Sequence, residues 1–404
     1  MKICIYIPYI NQNSGGLFPY ALAVIKMLVK SDQISKVILI ISEDQKEFFE
    51  AKFSKVNKLN IKVVRIEQNW LLNFLNKSYK FLLDINFIYV DKKYIKDKYL
   101  SFLNPYKYYF EKLDADIIHI PFQVAPVYKI NKPIITTLHD MQELHFPEYF
   151  SPAERLGRAL AFKKSTELSD HIVVTFNHVK EDIIKYFQIE EQKVSVCPLN
   201  FIEDWFAENQ STTTEELKLK YSLKEPFILY PAAFWPHKNH TVLIKAFNEI
   251  YKKNKNLNLV LTGNDKTSYA SKIRDIIHAY KLDENIKILG VVSNEDLVGL
   301  YKSCSLVVIP TKYEAGSGPL FEAMKFNSPV ICSNVTSLPE IIGNKTFTFD
   351  SDDYLALAEM INKILNDKLF LDENLANSKS RIEFYSKIDS SKSFIDVYHK
   401  LLVR

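Results

Sequence analysis

The run Glu314-Ala315-Gly316-Ser317-Gly318-Pro319-Leu320-Phe321-Glu322-Ala323-Met324 carries the reading of this chain. Two carboxylates bracket a loop of small residues, and Pro319 then opens an apolar helical pattern. Gly316 and Gly318 have no Cβ, so a ligand can approach the backbone closely there. Pro319 suits the first helical position, where its missing N–H is not needed. The N–H groups of that first turn have no intrahelical partner and form a site for an anion such as phosphate. Glu322, about one turn in, can then point at neutral hydroxyls instead of the phosphates. A glutamate near a helix start and a Gly-Ser-Gly loop also occur for structural reasons alone, so the surroundings have to decide.

Downstream, Ser328-Pro329-Val330-Ile331-Cys332-Ser333 reads as a turn and a short buried strand. Ser337-Leu338-Pro339-Glu340-Ile341-Ile342-Gly343 reads as a second loop opening a helix. Strand, loop, helix, repeated, is the order of a doubly wound domain, whose ligands bind outside the carboxyl ends of its strands. Upstream, the same series includes Phe227 to Tyr230, Leu257 to Thr262, Ile286 to Gly290 and Leu306 to Pro310. The first half repeats it with Ile3 to Pro8, Val37 to Ile41, Ile61 to Ile66, Ile117 to Pro121, Ile134 to Leu138 and Ile172 to Phe176. Helical patterns such as Leu17 to Leu28 and Pro152 to Leu168 lie between them, which implies parallel sheets covered by helices.

A chain of 404 residues is too long for one ordinary core and fits two domains of similar size. The expected fold class is α/β, with Rossmann-like domains at 1–200 and 226–380. Residues 201–225, polar and carrying Ser-Thr-Thr-Thr at 211–214, are expected to link them and to hold one helix. From Ile382 to Leu402, Phe384, Ile388, Phe394, Val397 and Leu401 recur at helical spacing, so 381–404 is expected to be a final helix.

With 47% hydrophobic and 25% charged residues, the balance is that of a soluble globular protein. A net charge of +4 is small for this length and does not argue for nucleic acid. Cys4, Cys197, Cys304 and Cys332 are far apart and lack metal-ligand spacing, which suits buried free thiols in a reducing compartment. The N-terminal apolar run is too short for a signal peptide, and no run has the length of a transmembrane helix. The expected location is the cytoplasm, with contact at the inner membrane face as an option.

The stretch from Pro310 to Gly343 resembles the signature of the retaining glycosyltransferases of family 4, also called group 1 glycosyl transferases, which have the GT-B fold. Two glutamates separated by seven residues flank a small-residue loop, followed by Ala-Met, a Pro-Val-Ile strand and a Leu-Pro-Glu turn. The resemblance implies two domains facing across a cleft, with the final helix crossing back to the first. It implies transfer of a sugar from a nucleotide-diphosphate sugar to a saccharide or lipid-linked saccharide hydroxyl, with anomeric configuration retained. On this reading Glu322 holds the ribose hydroxyls. Lys238 and the N–H groups around Gly316, Ser317, Gly318, Pro319 and Leu320 bind the diphosphate. Glu314 orients the donor sugar. The nucleotide sugar is a substrate, no further cofactor is expected, and no Asp-x-Asp metal motif stands in a suitable loop.

Lys238 lies in Pro231-Ala232-Ala233-Phe234-Trp235-Pro236-His237-Lys238-Asn239-His240, after one strand and before a helix. A lysine there can neutralise a departing diphosphate. Family members carry a lysine followed by Asn or Gly at this place. They usually also carry an arginine a few residues earlier, where Ala232 or Ala233 stands here. Charge compensation is then expected from Lys238 alone, from His237 or His240, or from another residue.

In the first half, Thr136-Thr137-Leu138-His139-Asp140 follows a strand and resembles the family's His-Asp segment, whose histidine sits near the transferred sugar. His139 is expected to bond a sugar hydroxyl or to stabilise charge at the anomeric carbon. His119 and His145 read as structural or acceptor-side. Gly15 and Gly16 follow the first strand and suit a backbone lying near diphosphate or acceptor, although they lack the spaced glycines of a dinucleotide fingerprint. Gly263, Val291 and Val292 lie where family members hold the base.

Residues 70–110 mix aromatics with lysines, including Lys92, Lys93, Lys96 and Lys98. Such a surface can rest on an anionic bilayer, or it can be aromatically packed helices with lysines in solvent. Two other activities also fit the two-domain plan. One is a nucleotide-sugar epimerase, which would isomerise the donor without an acceptor. The other is a binding-only relative that has lost turnover.

Overall fold

The computed structural model describes residues 1–8, 16–64, 70–88, 104–125, 130–199 and 211–403. Gly15, Lys92, Lys93, Lys96 and Lys98 lie outside the described residues. The chain divides into two compact units, Met1–Phe201 with Asp389–Arg404, and Ile202–Ile388.

The first unit is built on β1 (Lys2–Tyr6), β2 (Lys36–Ile41), β3 (Leu59–Val63), β4 (Ile117–Ile120), β5 (Ile134–Thr137), β6 (His171–Val174) and β7 (Val194–Val196). They form a parallel sheet in the order β3-β2-β1-β4-β5-β6-β7. Helices cover both faces of such a sheet, so its inner strands bury both rows of side chains and read as unbroken apolar runs. Ile3, Cys4 and Ile5 of β1 and Ile117 and Ile118 of β4 are fully buried for this reason. The edge strand β3 instead alternates half-buried and exposed positions.

The second unit repeats the plan with β8 (Phe227–Pro231), β9 (Asn258–Thr262), β10 (Ile286–Ile288), β11 (Leu306–Ile309), β12 (Val330–Ser333) and β13 (Thr348–Phe349). Their order is β10-β9-β8-β11-β12-β13, again all parallel. In each sheet the winding reverses beside its first strand, between β1 and β4 and between β8 and β11. A crevice opens at such a switch point, beyond the strands' carboxyl ends. The loops after β8 and β11 are those that hold Lys238 and Glu314.

The helical spacing of residues 382–402 conceals a break. One helix, Lys368–Ser386, ends in the second unit, and another, Ser390–Leu402, belongs to the first. Asp389 starts the second helix by accepting hydrogen bonds from the N–H groups of Ser391 and Lys392. Phe394, Ile395, Val397, Tyr398 and Leu401 then enter the core of the first unit. The helix expected in the polar stretch before β8 is Thr214–Tyr221, opened by a capping box of Thr213 and Glu216. It is tied within the second unit through buried Asp296, which accepts from the Thr212 hydroxyl at 2.7 Å, Lys220 at 2.5 Å and the Tyr221 hydroxyl at 2.6 Å.

Among the described residues no helix is long and apolar enough to cross a membrane. All four cysteines are buried and free, and burial pushes the Cys197 and Cys304 thiols up to about 12.

Candidate active site

At the switch point of the second sheet, the Lys238 ammonium stands 2.6 Å from Glu314 Oε1. Their side chains are only 19% and 9% exposed, so the pair is largely withdrawn from water. Each partner is held by its backbone. The Tyr230 hydroxyl, at the end of β8, donates to the Lys238 carbonyl at 2.8 Å. The preceding carbonyl, of His237, accepts from the Thr311 hydroxyl and the Lys312 N–H. On the other side, the Glu314 N–H donates to Thr336 Oγ1 at 3.0 Å, and the Ser337 hydroxyl donates to the Glu314 carbonyl at 3.0 Å.

The helix after Glu314 is Gly318–Lys325, so Gly318 takes its first position and Pro319 its second, one later than the sequence suggests. Ser317 is buried and caps it, its hydroxyl oxygen accepting from the Leu320 N–H at 3.4 Å. That engagement, with the missing N–H of Pro319, narrows the anion site: neither residue offers a free donor. Among the described residues, no protein acceptor takes the N–H groups of Gly316, Ser317 and Gly318. These donors, two in the loop and one at the first helical position, follow Glu314 directly along the chain.

One turn in, Glu322 Oε2 accepts from the Tyr301 hydroxyl at 2.5 Å. Burial raises the Glu322 carboxyl above its usual range, and the tyrosine bond draws it back down. Nothing in the local sequence announces Tyr301, which comes from helix Asn294–Ser303.

Gly263 has a structural reason to be glycine. Its φ is +121°, and a Cβ there would lie 2.6 Å from the Ala232 carbonyl carbon and oxygen. Two strand-end loops thus meet backbone to backbone, joined by the Ala232 N–H donating to the Thr262 carbonyl at 2.9 Å. The Gly263 N–H donates to the Gly290 carbonyl at 2.7 Å, which brings in the loop carrying exposed Val291 and half-buried Val292.

In the first unit, the His139 ring packs edge-on against Tyr20 at 4.5 Å. Its Nε2 stands 3.2 Å from the Pro121 carbonyl, just beyond β4. A carbonyl only accepts, so Nε2 carries the proton and Nδ1 offers a lone pair. Burial lowers the pKa of His139, which favours this neutral form. His119 is interior and structural: Nδ1 meets the Tyr398 hydroxyl at 2.9 Å and Nε2 meets Thr137 Oγ1 at 3.1 Å. His145 is occupied by Asp182 at 2.7 Å. Gly16 caps helix Leu17–Lys30 with an ordinary φ of −62°, and a Cβ there would meet open space, so neither strain nor crowding requires a glycine. Among the described residues no group of three His, Cys, Asp or Glu could hold a metal ion.

Comparison with known proteins adds a family to this geometry. Residues 212–381 match the family described as Glycosyl transferases group 1, and residues 84–199 match Glycosyltransferase Family 4. The chain belongs to the group 1 glycosyl transferases. It is 28% identical over 239 residues to the serotype-specific mannosyltransferase WbdA of Escherichia coli, a match covering 58% of this chain but only 29% of WbdA. It is 27% identical over 277 residues to the O-antigen chain mannosyltransferase B of Escherichia coli, covering 66% and 70% of the two chains. The crystal structure of HepE from Anabaena in complex with UDP and glucose superposes with a TM-score of 0.66, at 15% identity and full coverage of both chains. That likeness identifies the fold as GT-B.

Within this family, Asn239 has a physical reason to follow the lysine. It sits at φ +57° and ψ +38°, a left-handed conformation that asparagine and glycine adopt most readily. Its side-chain amide donates to the Pro310 carbonyl at 3.0 Å and the Ser351 carbonyl at 2.7 Å, locking the turn that carries Lys238. The two histidines considered as substitutes for the family's arginine do not serve as cations. Burial, aided by the Lys238 charge, holds both His237 and His240 at about 3. His240 is stacked on Phe234 at 4.3 Å, inside the core. Of the three groups that the sequence offered, Lys238 alone brings positive charge at neutral pH.

Proposed function

We propose that this chain transfers a sugar from a nucleoside-diphosphate sugar to the hydroxyl of a saccharide or lipid-linked saccharide, with retention of anomeric configuration. The observation that carries the reading is the Lys238–Glu314 pair at the start of a loop in which, among the described residues, the N–H groups of Gly316, Ser317 and Gly318 take no protein acceptor. The diphosphate approaches these donors and shares the lysine. Glu314 then turns its carboxylate toward the hydroxyls of the donor sugar. Glu322, one turn inside the helix, accepts from the ribose hydroxyls. As the bond to the anomeric carbon breaks, negative charge grows on the diphosphate, where a fixed ammonium and fixed N–H dipoles stabilise it. The acceptor hydroxyl attacks that carbon from the face the diphosphate leaves and passes its proton to the departing phosphate oxygen, so configuration is kept. His139, in the first unit, is neutral, and its Nδ1 lone pair can accept from a sugar hydroxyl. No resident cofactor or metal is part of the scheme.

The relatives named as O-antigen mannosyltransferases support a role in surface polysaccharide synthesis, and mannosyl donors head the panel to test. Purified protein is incubated with each nucleotide sugar and a lipid-linked saccharide acceptor. The expected products are free nucleoside diphosphate and a new glycosidic linkage, whose anomeric configuration NMR reads directly. An isomerised donor without a new linkage would replace this reading with the epimerase. Glu322→Ala and Lys238→Ala variants that transfer sugar at the wild-type rate would refute the assigned site.

The acceptor side of the proposal includes the inner face of an anionic membrane. Helix Trp70–Ile88 exposes Trp70 (79%), Phe74 (62%) and Phe81 (65%) at spacings that put them on one face with exposed Lys77. Aromatic rings with a lysine between them suit the interfacial zone of an anionic bilayer. Flotation with anionic vesicles is expected to carry wild-type protein and to leave a Trp70→Ala/Phe74→Ala/Phe81→Ala variant behind. Equal flotation of the two would reject this surface.

A further inference from the structure

We infer that Tyr301 is the positioning residue for nucleotide recognition, holding one oxygen of Glu322 so that the other is presented to the ribose hydroxyls. The inference rests on the reading of Glu322 given above and adds a residue from a separate helix. Tyr301 is fully buried, its ring packed against Phe326 at 5.7 Å. Its carbonyl accepts from the Ser328 hydroxyl at 2.7 Å, which anchors the helix just after the Gly318–Lys325 segment. The phenol is therefore fixed at both its backbone and its ring before it reaches Glu322 Oε2 at 2.5 Å. Among the described residues no protein donor takes Oε1, the second oxygen of that carboxylate.

A glutamate has three side-chain torsions and would otherwise have to be ordered by the ligand itself. A donor already placed on Oε2 removes part of that ordering cost before the nucleotide arrives. It also makes the remaining oxygen a directed acceptor, suited to a vicinal diol and indifferent to base or sugar. The residue is thus expected to act on the ribose and on nothing else in the donor.

The test measures binding of UDP and GDP, and of their 2′,3′-dideoxy forms, to wild-type, Tyr301→Phe and Glu322→Gln proteins by calorimetry. Phenylalanine keeps the packed ring and removes only the donor. The expected result for Tyr301→Phe is a loss of about tenfold in affinity for the ribonucleotide that wild type binds, the scale of one hydrogen bond to a charged group. Its affinity for the dideoxy form is expected to equal that of wild type. Equal losses on both forms would make Tyr301 merely structural and overturn the inference, as would no loss on either. If Glu322→Gln discriminates ribose from dideoxyribose as well as wild type does, the ribose role of Glu322 falls and the inference falls with it. If Glu322→Gln loses that discrimination while Tyr301→Phe keeps it, only the role of Tyr301 falls. A wild-type protein that binds none of the four nucleotides overturns the nucleotide reading itself.

Discussion

Replacing Lys238 with methionine removes a charge while keeping most of the stem, and it leaves the Glu314 carboxylate with little water and no counter-ion. Breaking a fully buried ion pair from one side destabilises a protein by about 3–5 kcal/mol. Here the partners are 2.6 Å apart and 19% and 9% exposed, so residual hydration lowers the figure to about 2–4 kcal/mol. For a unit the size of Ile202–Ile388 that corresponds to a fall of roughly 5–15 °C in melting temperature. Removing both charges in Lys238→Met/Glu314→Gln is expected to recover most of the loss, because no uncompensated charge then stays behind. Activity should be absent from both variants, so stability and catalysis part company in the double one. The assay is urea unfolding at pH 7, followed by hydrogen exchange in β8 and β11 so that the second unit reports alone. A double variant whose destabilisation equals the sum of the single ones would show no coupling, and the pair would have no energetic meaning.

Two further outcomes follow from the glycines and from a buried histidine. Gly263→Ala should lower the melting temperature sharply, by about 3 kcal/mol or more of stability, since its Cβ would strike the Ala232 backbone at a left-handed φ. Gly16→Ala should stay within about 1 kcal/mol of wild type, and thermal unfolding of both variants checks the contrast. Burial holds His119 at about 3, below the unfolded value near 6.5, so the unfolded chain takes up its proton first as pH falls. Its contribution is whole above pH 6.5 and declines toward pH 3. Unfolding free energies between pH 4.5 and 5.5 should therefore slope less steeply in His119→Gln, by about 1.4 kcal/mol per pH unit, and an unchanged slope would contradict the buried neutral ring.

Much of the architecture is legible in the sequence, because the inner strands of a parallel sheet must be apolar on both faces. Ile3 to Tyr6 and Leu306 to Ile309 could be found as runs without any knowledge of their neighbours. The strands Val194–Val196 and Thr348–Phe349 escaped, since three and two residues at a sheet edge leave no period to detect. The break at residues 387–389 escaped as well. Apolar spacing runs through it, and only the cap at Asp389 marks where one helix stops and the next begins. In the candidate site, the two glutamates and the glycines between them stand out by local pattern, whereas Lys238 is singled out by the family resemblance.

What the sequence determined alone is therefore the local part: the longer buried strands, a small-residue loop that opens a helix to within one residue, and which residue types could meet a diphosphate. The tertiary structure decided the pairings and the charges. Lys238 meets Glu314 across 76 positions, and Tyr301 meets Glu322 across 21. His237 and His240 lose their positive charge through burial by residues that only the fold brings near. Backbone propensity and apolar periodicity act within a few residues, so they can be read along the chain. Desolvation and hydrogen bonding between distant residues depend on the space around a group, which exists only after the sheets have closed.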